Sequence, residues 1–336
     1  MKPMGKSTSR AFAGLAAGLM LALLSSCGGG TEQVEPFEPR RYLAFGDEMN
    51  VLTKEPPQGR KYTVNALFSD GSGINCAATG SSQSLLWVQI LANTFNFAFE
   101  ECNPVPRAVT AFSYAAPGAK AADFVLQLAE ARVVHGAFGC NDLMSVLVGA
   151  NDVIDLYETR YLADPTSDNA NAIANELTAR GRRLGLAITE LTDDNGPNII
   201  VSTIPLMNLT PYARQQAVDR PGVNAVNVLK QFSNAFNTAL RVNIPNDGSR
   251  WGLVELDAMI QAGVNNPGSY GLANVVNAVC DPLTWNTPNC TTDTLVANGN
   301  ANSWLWASDR WIGWQAHSRL GSFARTRARD NPFGCV

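Results

Sequence analysis

The feature that most constrains the fold is a short apolar run that stops abruptly at a glycine and an acid. Residues 42–45 read Tyr-Leu-Ala-Phe, and Gly46-Asp47 follow directly. An apolar run of this length, closed by a turn signal, predicts a buried strand. In open α/β sheets, chemistry sits just beyond the carboxyl ends of the strands. A plain β-turn is the competing interpretation, because Gly-Asp is an ordinary turn pair.

Three later segments repeat or extend this pattern. Residues 145–152 read Ser-Val-Leu-Val-Gly-Ala-Asn-Asp, so an apolar run again breaks at a glycine and exposes polar side chains. Residues 112–119, Phe-Ser-Tyr-Ala-Ala-Pro-Gly-Ala, form a third strand-like run, and a tryptophan-rich segment spans residues 304–317. These recurrences favour a functional edge of a sheet over an isolated turn.

In this order the four segments resemble the sequence blocks of the SGNH (GDSL-type) hydrolases. The Phe-Gly-Asp and Gly-Ala-Asn-Asp segments are the specific parts, and the resemblance covers roughly residues 40–330. It implies an α/β fold, a three-layer α/β/α arrangement with about five parallel strands, similar to flavodoxin. It also implies an esterase or lipase whose four blocks supply Ser, Gly, Asn and His.

The resemblance assigns roles position by position, and two positions depart from the family pattern. Gly118 and Asn151 match the backbone and side-chain donors that hold the oxyanion, and Asp309 matches the acid that orients the catalytic His. The nucleophilic Ser should follow Gly-Asp, but this chain has Glu48 there. The catalytic His should come two residues after the acid, but this chain has Trp311.

Further residues support the matched positions. Gly46 and Gly149 end the two specific strands, and His317 matches a later His that the family commonly has outside its triad. Asp152 begins a predicted helix, where capping is its expected role, although the family uses this Asp to brace the turn. Asp47 is expected to brace the first turn through backbone N–H groups in the same way.

The two substitutions remove the attacking chemistry. A serine hydrolase needs a hydroxyl with a base within about 3 Å. Glu48 would place a carboxylate where an oxyanion develops, opposing the donors that should stabilise it. Trp311 offers only an N–H donor and cannot take a proton. Losing triad members typically lowers the rate by about 10⁴ to 10⁶.

A second interpretation places the nucleophile elsewhere in the chain. Ser113 and Ser308 lie near the relevant blocks. The chain has two histidines, His135 and His317, and neither occupies a matched triad position. His135 ends a predicted helix, where a contact with the helix dipole is the expected role.

Residues 1–27 have the pattern of a targeting segment. Three basic residues precede an apolar stretch, residues 11–24, that is too short for a settled membrane span. Leu-Ser-Ser-Cys at residues 24–27 resembles a bacterial lipobox, which implies that Cys27 is lipidated and becomes the first mature residue. Ordinary cleavage that leaves a free thiol is the alternative. Acyl chains would anchor the protein without spanning the membrane. Since no Asp follows Cys27, we expect the outer membrane of a bacterial cell envelope.

The remaining chain divides into a linker and one domain. Residues 28–40 are rich in Gly, Glu and Pro and predict a flexible tether, which leaves residues 41–336 for a single large domain. The net charge of the chain is −4 and the leader carries three cations and no acid, so the mature part carries −7. This charge argues against nucleic-acid binding. Four Arg within residues 319–329 are expected on the solvated face of a closing helix.

The cysteine count suits an oxidising compartment. Without Cys27, six of the seven cysteines remain, an even number that allows fifteen pairings. Cys280 and Cys290 flank a short loop and Cys76 and Cys102 flank one predicted helix, so these pairs are preferred. Cys140 with Cys335 follows by elimination. A zinc site is the rival, although no CxxC or clustered His spacing is present.

The order of predicted elements alternates between strands and helices, as in a parallel α/β sheet. A long loop rich in Pro, Gly and Ser separates the first strand from the first helix. The expected strands are 42–46, 108–114, 143–148, 198–204 and 251–256. The expected helices are 84–94, 121–134, one beginning near residue 152, 168–193, 222–241 and 312–329.

Four tryptophans fall within eleven residues, at positions 304, 306, 311 and 314. They could form an aromatic platform for a sugar or an acyl chain. Alternatively, they pack the last loop against the sheet, since indole suits a boundary that is partly wet.

Three functions are compatible with this sequence. The first is a lipid-anchored SGNH-like envelope protein with a degenerate centre and a retained cleft for an acyl-ester or glycan ligand. The second is an active carboxylic-ester hydrolase with a rearranged centre. The third is a structural envelope lipoprotein that uses the fold as a spacer. None of them calls for a cofactor or a metal.

Overall fold

The computed structural model describes most of the chain after residue 35. The described residues are Met1, 36–54, 59–77, 84–105, 107–192, 195–245, 248–284 and 286–335. The predicted targeting segment, its Cys27 and most of the predicted tether lie outside these ranges and stay predictions.

A six-stranded parallel sheet forms the centre of the molecule. Its strands are β1 (Arg41–Gly46), β2 (Ala98–Phe99), β3 (Val109–Ser113), β4 (Asp142–Leu147), β5 (Asn198–Ser202) and β6 (Trp251–Val254). Their spatial order is β2-β3-β1-β4-β5-β6, and every neighbouring pair is parallel. Apart from the two-residue β2, this is the doubly wound order 2-1-3-4-5 of flavodoxin-like sheets. The predicted fold class is therefore confirmed.

Helices cover both faces of the sheet. They are α1 (Trp87–Thr94), α2 (Asp123–His135), α3 (Ala150–Leu156), α4 (Ser167–Leu191), α5 (Pro211–Asp219), α6 (Ala225–Val242), α7 (Leu256–Asn265) and α8 (Trp314–Asp330). Helix α1 packs on α8, whereas α4 packs on α6, which also contacts α3. Right-handed crossovers place these two groups on opposite faces of the sheet, because the strand order reverses at β1.

Helix α4 shows how the local sequence builds this packing. The Thr166 hydroxyl caps its N-terminus by accepting a hydrogen bond from the Asn169 N–H. Its apolar stripe is buried, as the spacing predicts. Two glycines in the stripe allow α6 to approach closely, because a Cβ at Gly181 would lie 2.4 Å from the Phe236 carbonyl oxygen. The α4–α6 layer in turn supports the carboxyl end of β4.

Some elements differ from the sequence prediction. The strand expected over 251–256 ends at Val254, and Leu256 already begins α7. Helix α5 was not expected, and neither was the small parallel pair β7 (Asn274–Ala278) and β8 (Trp304–Trp306). Short elements in this C-terminal part carry little periodic signal, so pattern reasoning missed them.

The packed unit also begins earlier than predicted. Phe37 is buried and makes edge contacts with the rings of Phe95 and Phe333. The compact unit that the structure describes runs from Pro36.

The six remaining cysteines form the two preferred disulfides and the third that followed by elimination. The pairs are Cys76–Cys102, Cys280–Cys290 and Cys140–Cys335. Among the described residues, no group of three or more His, Cys, Asp or Glu side chains is arranged to hold a metal ion.

The four clustered tryptophans act mainly as packing residues. Trp306, Trp311 and Trp314 are buried, and only Trp304 is partly exposed. The indole N–H groups of Trp306 and Trp314 donate to backbone carbonyls, so their polar ends are satisfied inside the protein. The packing interpretation is therefore favoured over an aromatic platform.

In the described part of the chain, no helix has the length and apolar character needed to cross a membrane.

Candidate active site

The carboxyl ends of β1 and β4 meet at a tight turn that only glycine can form. Gly46 has φ +133°, and a Cβ there would lie 1.9 Å from the Leu147 carbonyl oxygen and 2.4 Å from Asn50 Nδ2. The Asp47 N–H donates to the Leu147 carbonyl at 3.1 Å and locks β1 onto the end of β4. This turn aims the next residue, Glu48, across the edge of the sheet.

Glu48 lies between the two groups that match the oxyanion donors. Its Oε1 accepts a hydrogen bond from the Gly118 N–H at 2.8 Å, and its Oε2 accepts one from Asn151 Nδ2 at 2.8 Å. The side chain is 7% exposed. The structure thus brings Glu48, Gly118 and Asn151 together, with one donor on each carboxylate oxygen.

This arrangement has a direct chemical consequence. In an ester hydrolase, such donors must be free to bind the oxygen on which negative charge develops. In this chain, a carboxylate of the protein itself occupies both of them. Because hydrogen bonds to a carboxylate are roughly twice as strong as neutral ones, a neutral ester carbonyl would compete poorly for the same donors.

Asp47 braces the turn and remains close to Glu48. Its Oδ1 accepts the Met49 N–H at 3.2 Å and caps the short 3₁₀ helix Glu48–Asn50, as the sequence predicts. Its Oδ2 is buried without a partner. Burial, and next the charge of Glu48, raise the pKa of Asp47 well above its usual range.

Asp152 holds the loop that carries Gly118. Its Oδ2 accepts the Ala121 N–H at 2.7 Å, and its Oδ1 pairs with Arg180 at 2.9 Å. Burial raises the pKa of Asp152, although the hydrogen bond from Ala121 and the Arg180 guanidinium oppose this shift. Asp152 therefore braces the turn, and its own helix begins after Gly149 without a side-chain cap.

Gly149 is the second glycine that the site requires. Its φ is +128°, and a Cβ there would lie 2.3 Å from the Phe236 ring. The close approach of Phe236 and the positive φ set the direction in which α3 leaves β4. Asn151, in the first turn of α3, is then placed to reach Glu48.

Asp309 and Trp311 lie on the loop that follows β8. The Asp309 carboxylate is half-buried and lies 3.4 Å from Arg310 Nε, and burial raises the pKa of Asp309. Trp311 is buried, and its backbone N–H donates to the Ser308 hydroxyl at 3.0 Å. Within the described ranges, no hydrogen bond joins either side chain to Glu48.

Neither histidine can serve as an exposed base for this site. His317 is fully buried, and its Nδ1 accepts the Trp87 N–H at 3.4 Å. Burial, and next the charge of Lys61, lower the pKa of His317 to about 3. His135 ends α2 and bonds the Tyr114 hydroxyl at 2.7 Å through Nε2. Burial, and next Arg41, lower the pKa of His135.

The two rival serines are also engaged in local structure. The Ser113 hydroxyl donates to the Asn50 carbonyl at 3.4 Å. The Ser308 hydroxyl is buried and accepts the N–H groups of Arg310 and Trp311. No described hydrogen bond links either serine to a histidine, so the structure offers no activated hydroxyl at these positions.

Sequence reasoning missed the residues that support the site from behind. Asn50 donates to the carbonyls of Phe45 and Leu147, and its Oδ1 accepts the Trp87 indole N–H at 2.6 Å. Gln127 bonds both the N–H and the carbonyl of Gly46. Asn50 follows Gly-Asp by three residues and could have been suspected. Nothing local distinguishes Gln127 from a solvated helical residue.

Comparisons with known proteins give a likeness at the level of the whole chain. No family model matches the sequence, and no curated protein matches it. Among solved structures, Axe2, an acetylxylan esterase from Geobacillus stearothermophilus, is 13% identical with a TM-score of 0.42, over 87% of this chain and 95% of that chain. A member of the lipolytic G-D-S-L family from Veillonella parvula is 10% identical with a TM-score of 0.38, over 84% and 95%.

At these values the likeness carries no argument of its own, and the assignment stands on topology and geometry. The strand order and the glycine turns at the ends of β1 and β4 define a doubly wound α/β protein with its candidate site at the carboxyl edge of the sheet. This is the topology that the sequence resemblance to SGNH/GDSL hydrolases implies.

Proposed function

We propose that this chain is a lipid-anchored protein of the bacterial envelope that has lost ester hydrolysis and kept a ligand cleft. The single observation that carries the proposal is the Glu48 carboxylate, which accepts hydrogen bonds from both Gly118 and Asn151. A substrate would have to displace it before its own carbonyl oxygen could be bound.

Displacement alone would not restore catalysis. The position that follows Gly-Asp has no hydroxyl, and Trp311 cannot accept a proton. His317 is enclosed in the core and unprotonated at neutral pH. Loss of both nucleophile and base is expected to lower the rate by about 10⁴ to 10⁶ relative to an intact triad.

A cleft beside Asp309 supports a binding role. It has a volume of about 750 Å³, within the range of small-molecule sites. It is lined by residues of α5, of β7 and of the segments that follow β7 and β8, including Val276 and the highly exposed Leu283. Arg310 also lines it, pairs with Glu158 and lies 4.5 Å from the centre of the Tyr212 ring. A lining that mixes apolar and polar side chains suits an acyl-ester or glycan ligand.

The anchor and location rest on the leader sequence. The lipobox-like residues 24–27 support lipidation of Cys27. The residue after Cys27 is Gly28 and not Asp, which supports sorting to the outer membrane. Metabolic labelling with an alkyne fatty acid is expected to mark the wild-type chain and not the Cys27→Ser variant. Equal labelling of the two chains would reject the anchor.

The loss of hydrolysis is tested with the purified full chain. We expect no turnover of p-nitrophenyl acetate above the solution rate and no labelling by a serine-reactive fluorophosphonate. Labelling of any serine would instead favour the alternative, an active hydrolase with a rearranged centre. That alternative draws its support from the retained donors at Gly118 and Asn151, which drift alone would not preserve.

A gain-of-function variant tests the assignment of positions. Glu48→Ser with Trp311→His should open the donors and supply a nucleophile and a base, so we expect measurable p-nitrophenyl acetate turnover. Glu48→Ser alone is the matched control, and adding Asn151→Ala should remove most of the gain. If a correctly folded double variant shows no gain, the correspondence of these positions is wrong. Thermal-shift screening of acyl and glycan ligands then separates a binding protein from a spacer.

A further inference from the structure

The edge of the sheet opposite the candidate site carries a cationic surface on α8. Arg325, Arg327 and Arg329 are all exposed on its last two turns, with Arg325 and Arg329 on one flank of the helix and Arg327 on the other. Arg329 donates to the Thr94 carbonyl at 3.3 Å. In the described part of the chain, no ion pair involves any of the three arginines.

This surface lies where the chain enters the packed unit. Pro36, Phe37 and Pro39 share a surface depression with Thr94 and Arg329. The ring of Phe37 packs on Phe95, next to the Thr94 carbonyl that Arg329 binds. The first packed residues are thus fixed against the end of α8.

The same side is the amino edge of the parallel sheet. Asn331, directly after α8, donates to the carbonyl of Trp251, the first residue of β6. The Gly334 N–H donates to Asn198, the first residue of β5. Glu48 follows the opposite end of β1, and six residues of strand separate the two edges by about 20 Å.

We propose that the end of α8, with Arg325, Arg327 and Arg329, docks on an anionic lipid bilayer and turns the candidate site away from the membrane. We call these three residues the α8 surface. The orientation rests on the proposed anchor at Cys27, because only eight residues separate Cys27 from Pro36. Even fully extended, that linker spans at most about 30 Å, so the bilayer stays close to this edge.

The chemistry of the α8 surface fits lipid headgroups. Each Lys or Arg close to an anionic membrane surface raises the membrane partition coefficient of the protein roughly fivefold. The nearby acids are Glu38 on the entry segment, Asp330 at the end of α8, and Glu255, which lines a depression with Arg327 and pairs with Arg241. Arg40 is also exposed beside them, so cations remain in excess at this edge.

The first test measures flotation of full-length chains with vesicles that contain about 30% phosphatidylglycerol. The Cys27→Ser chain should float weakly, and salt should suppress this flotation because it screens exposed charges. Arg325→Gln with Arg327→Gln and Arg329→Gln should weaken flotation on the order of 100-fold. Arg182→Gln with Arg183→Gln and Arg220→Gln is the matched control, since these exposed arginines lie elsewhere.

Each outcome of this test decides the inference. If the Cys27→Ser chain does not float, or floats equally well with the α8 arginines replaced, the α8 surface is not a membrane contact, whatever the anchor does. If wild-type and Cys27→Ser chains float equally and both need the α8 arginines, lipidation of Cys27 is rejected and membrane contact by the α8 surface is supported. Binding to heparin or nucleic acid without binding to vesicles would overturn the proposal in favour of another polyanion.

The orientation is tested on the wild-type anchored chain by energy transfer to a labelled lipid. A fluorophore at Thr326→Cys should transfer strongly, and one at Ala122→Cys, at the start of α2 on the far edge, should transfer weakly. Val133 is 87% exposed on the apolar outer side of α2 and is the rival contact. Stronger transfer from Ala122 or Val133 than from Thr326 would refute the orientation.

Discussion

Replacing Glu48 with Ala tests the central feature of the site through folding stability. The wild-type carboxylate satisfies two donors, the Gly118 N–H and the Asn151 amide, each at 2.8 Å. A hydrogen bond to a charged group contributes about 1.5–3 kcal/mol, so the gross loss is about 3–6 kcal/mol. The change also removes a buried carboxylate next to Asp47, which offsets part of that loss. We therefore expect the free energy of unfolding to fall by about 2–3 kcal/mol.

The assay is urea unfolding followed by intrinsic fluorescence, with a double-variant cycle of Glu48→Ala and Asn151→Ala. Because both changes break the same hydrogen bond, the two losses should be non-additive by about 1 kcal/mol or more. Glu48→Gln should lose less than Glu48→Ala, since its carbonyl can still accept from one donor. Glu130→Ala, at an exposed position on α2, is the control and should change stability by less than about 0.5 kcal/mol.

An added carboxylate should partly restore the Glu48→Ala variant. Small anions such as acetate can occupy the two vacated donors, because the loop at Gly118 is exposed. If acetate binds with a dissociation constant of ~10 mM, then ~100 mM acetate stabilises the folded state by about 1.4 kcal/mol. Sodium chloride at the same ionic strength controls for salt. Additive losses together with no acetate effect would refute the reasoning that the two donors form one anion-binding unit.

Three further predictions concern the core around the site. Lys61 is fully buried, and burial lowers its pKa to about 7. The unfolded state, with an ordinary pKa near 10.5, binds the proton more readily, so stability should fall as the pH falls from 10.5 to 7. The wild type should be about 2.5 kcal/mol less stable at pH 7.5 than at pH 9.5, and Lys61→Met should reduce this difference in urea unfolding. Burial lowers the pKa of His317 to about 3, so the stabilisation that its neutral imidazole contributes to the folded state should be lost as the pH falls from 6.5 to 3. Because the charge of Lys61 adds to this lowering, an NMR titration of Lys61→Met should show a higher pKa for His317. Gly149→Ala should lower the free energy of unfolding by about 2 kcal/mol or more, because the new Cβ would meet the Phe236 ring at a φ of +128°.

Each of these three has a clear contrary result. An unchanged pH dependence in Lys61→Met would mean that the ammonium is not desolvated as described. A His317 titration near its ordinary value in the wild type would contradict its enclosure in the core. Full stability of Gly149→Ala would show that the turn before α3 can relax without loss, and Gly222→Ala, where no atom lies within 4 Å of the new Cβ, is the matched control.

The sequence by itself determined the alternation of strands and helices and the place of the glycine turns. Apolar runs that end in Gly46 and Gly149 have a local cause, because a buried strand and a positive φ each restrict the residues that fit. The same local reasoning found the long helix α4. Cysteine spacing pointed to Cys280–Cys290 and Cys76–Cys102, since short loops close most easily, and Cys140–Cys335 followed by elimination.

Only the tertiary structure decided what Glu48 does. The sequence predicts a carboxylate near the oxyanion donors, but not that each of its oxygens pairs with one donor, since that depends on the register of β1 beside β4 and on the loop at Gly118. Buried Lys61 and the bracing Gln127 likewise acquire their roles from residues far away in the chain. Local patterns encode backbone conformation, whereas the partners of a side chain are set by packing between distant segments, and the chemistry of this site belongs to that second class.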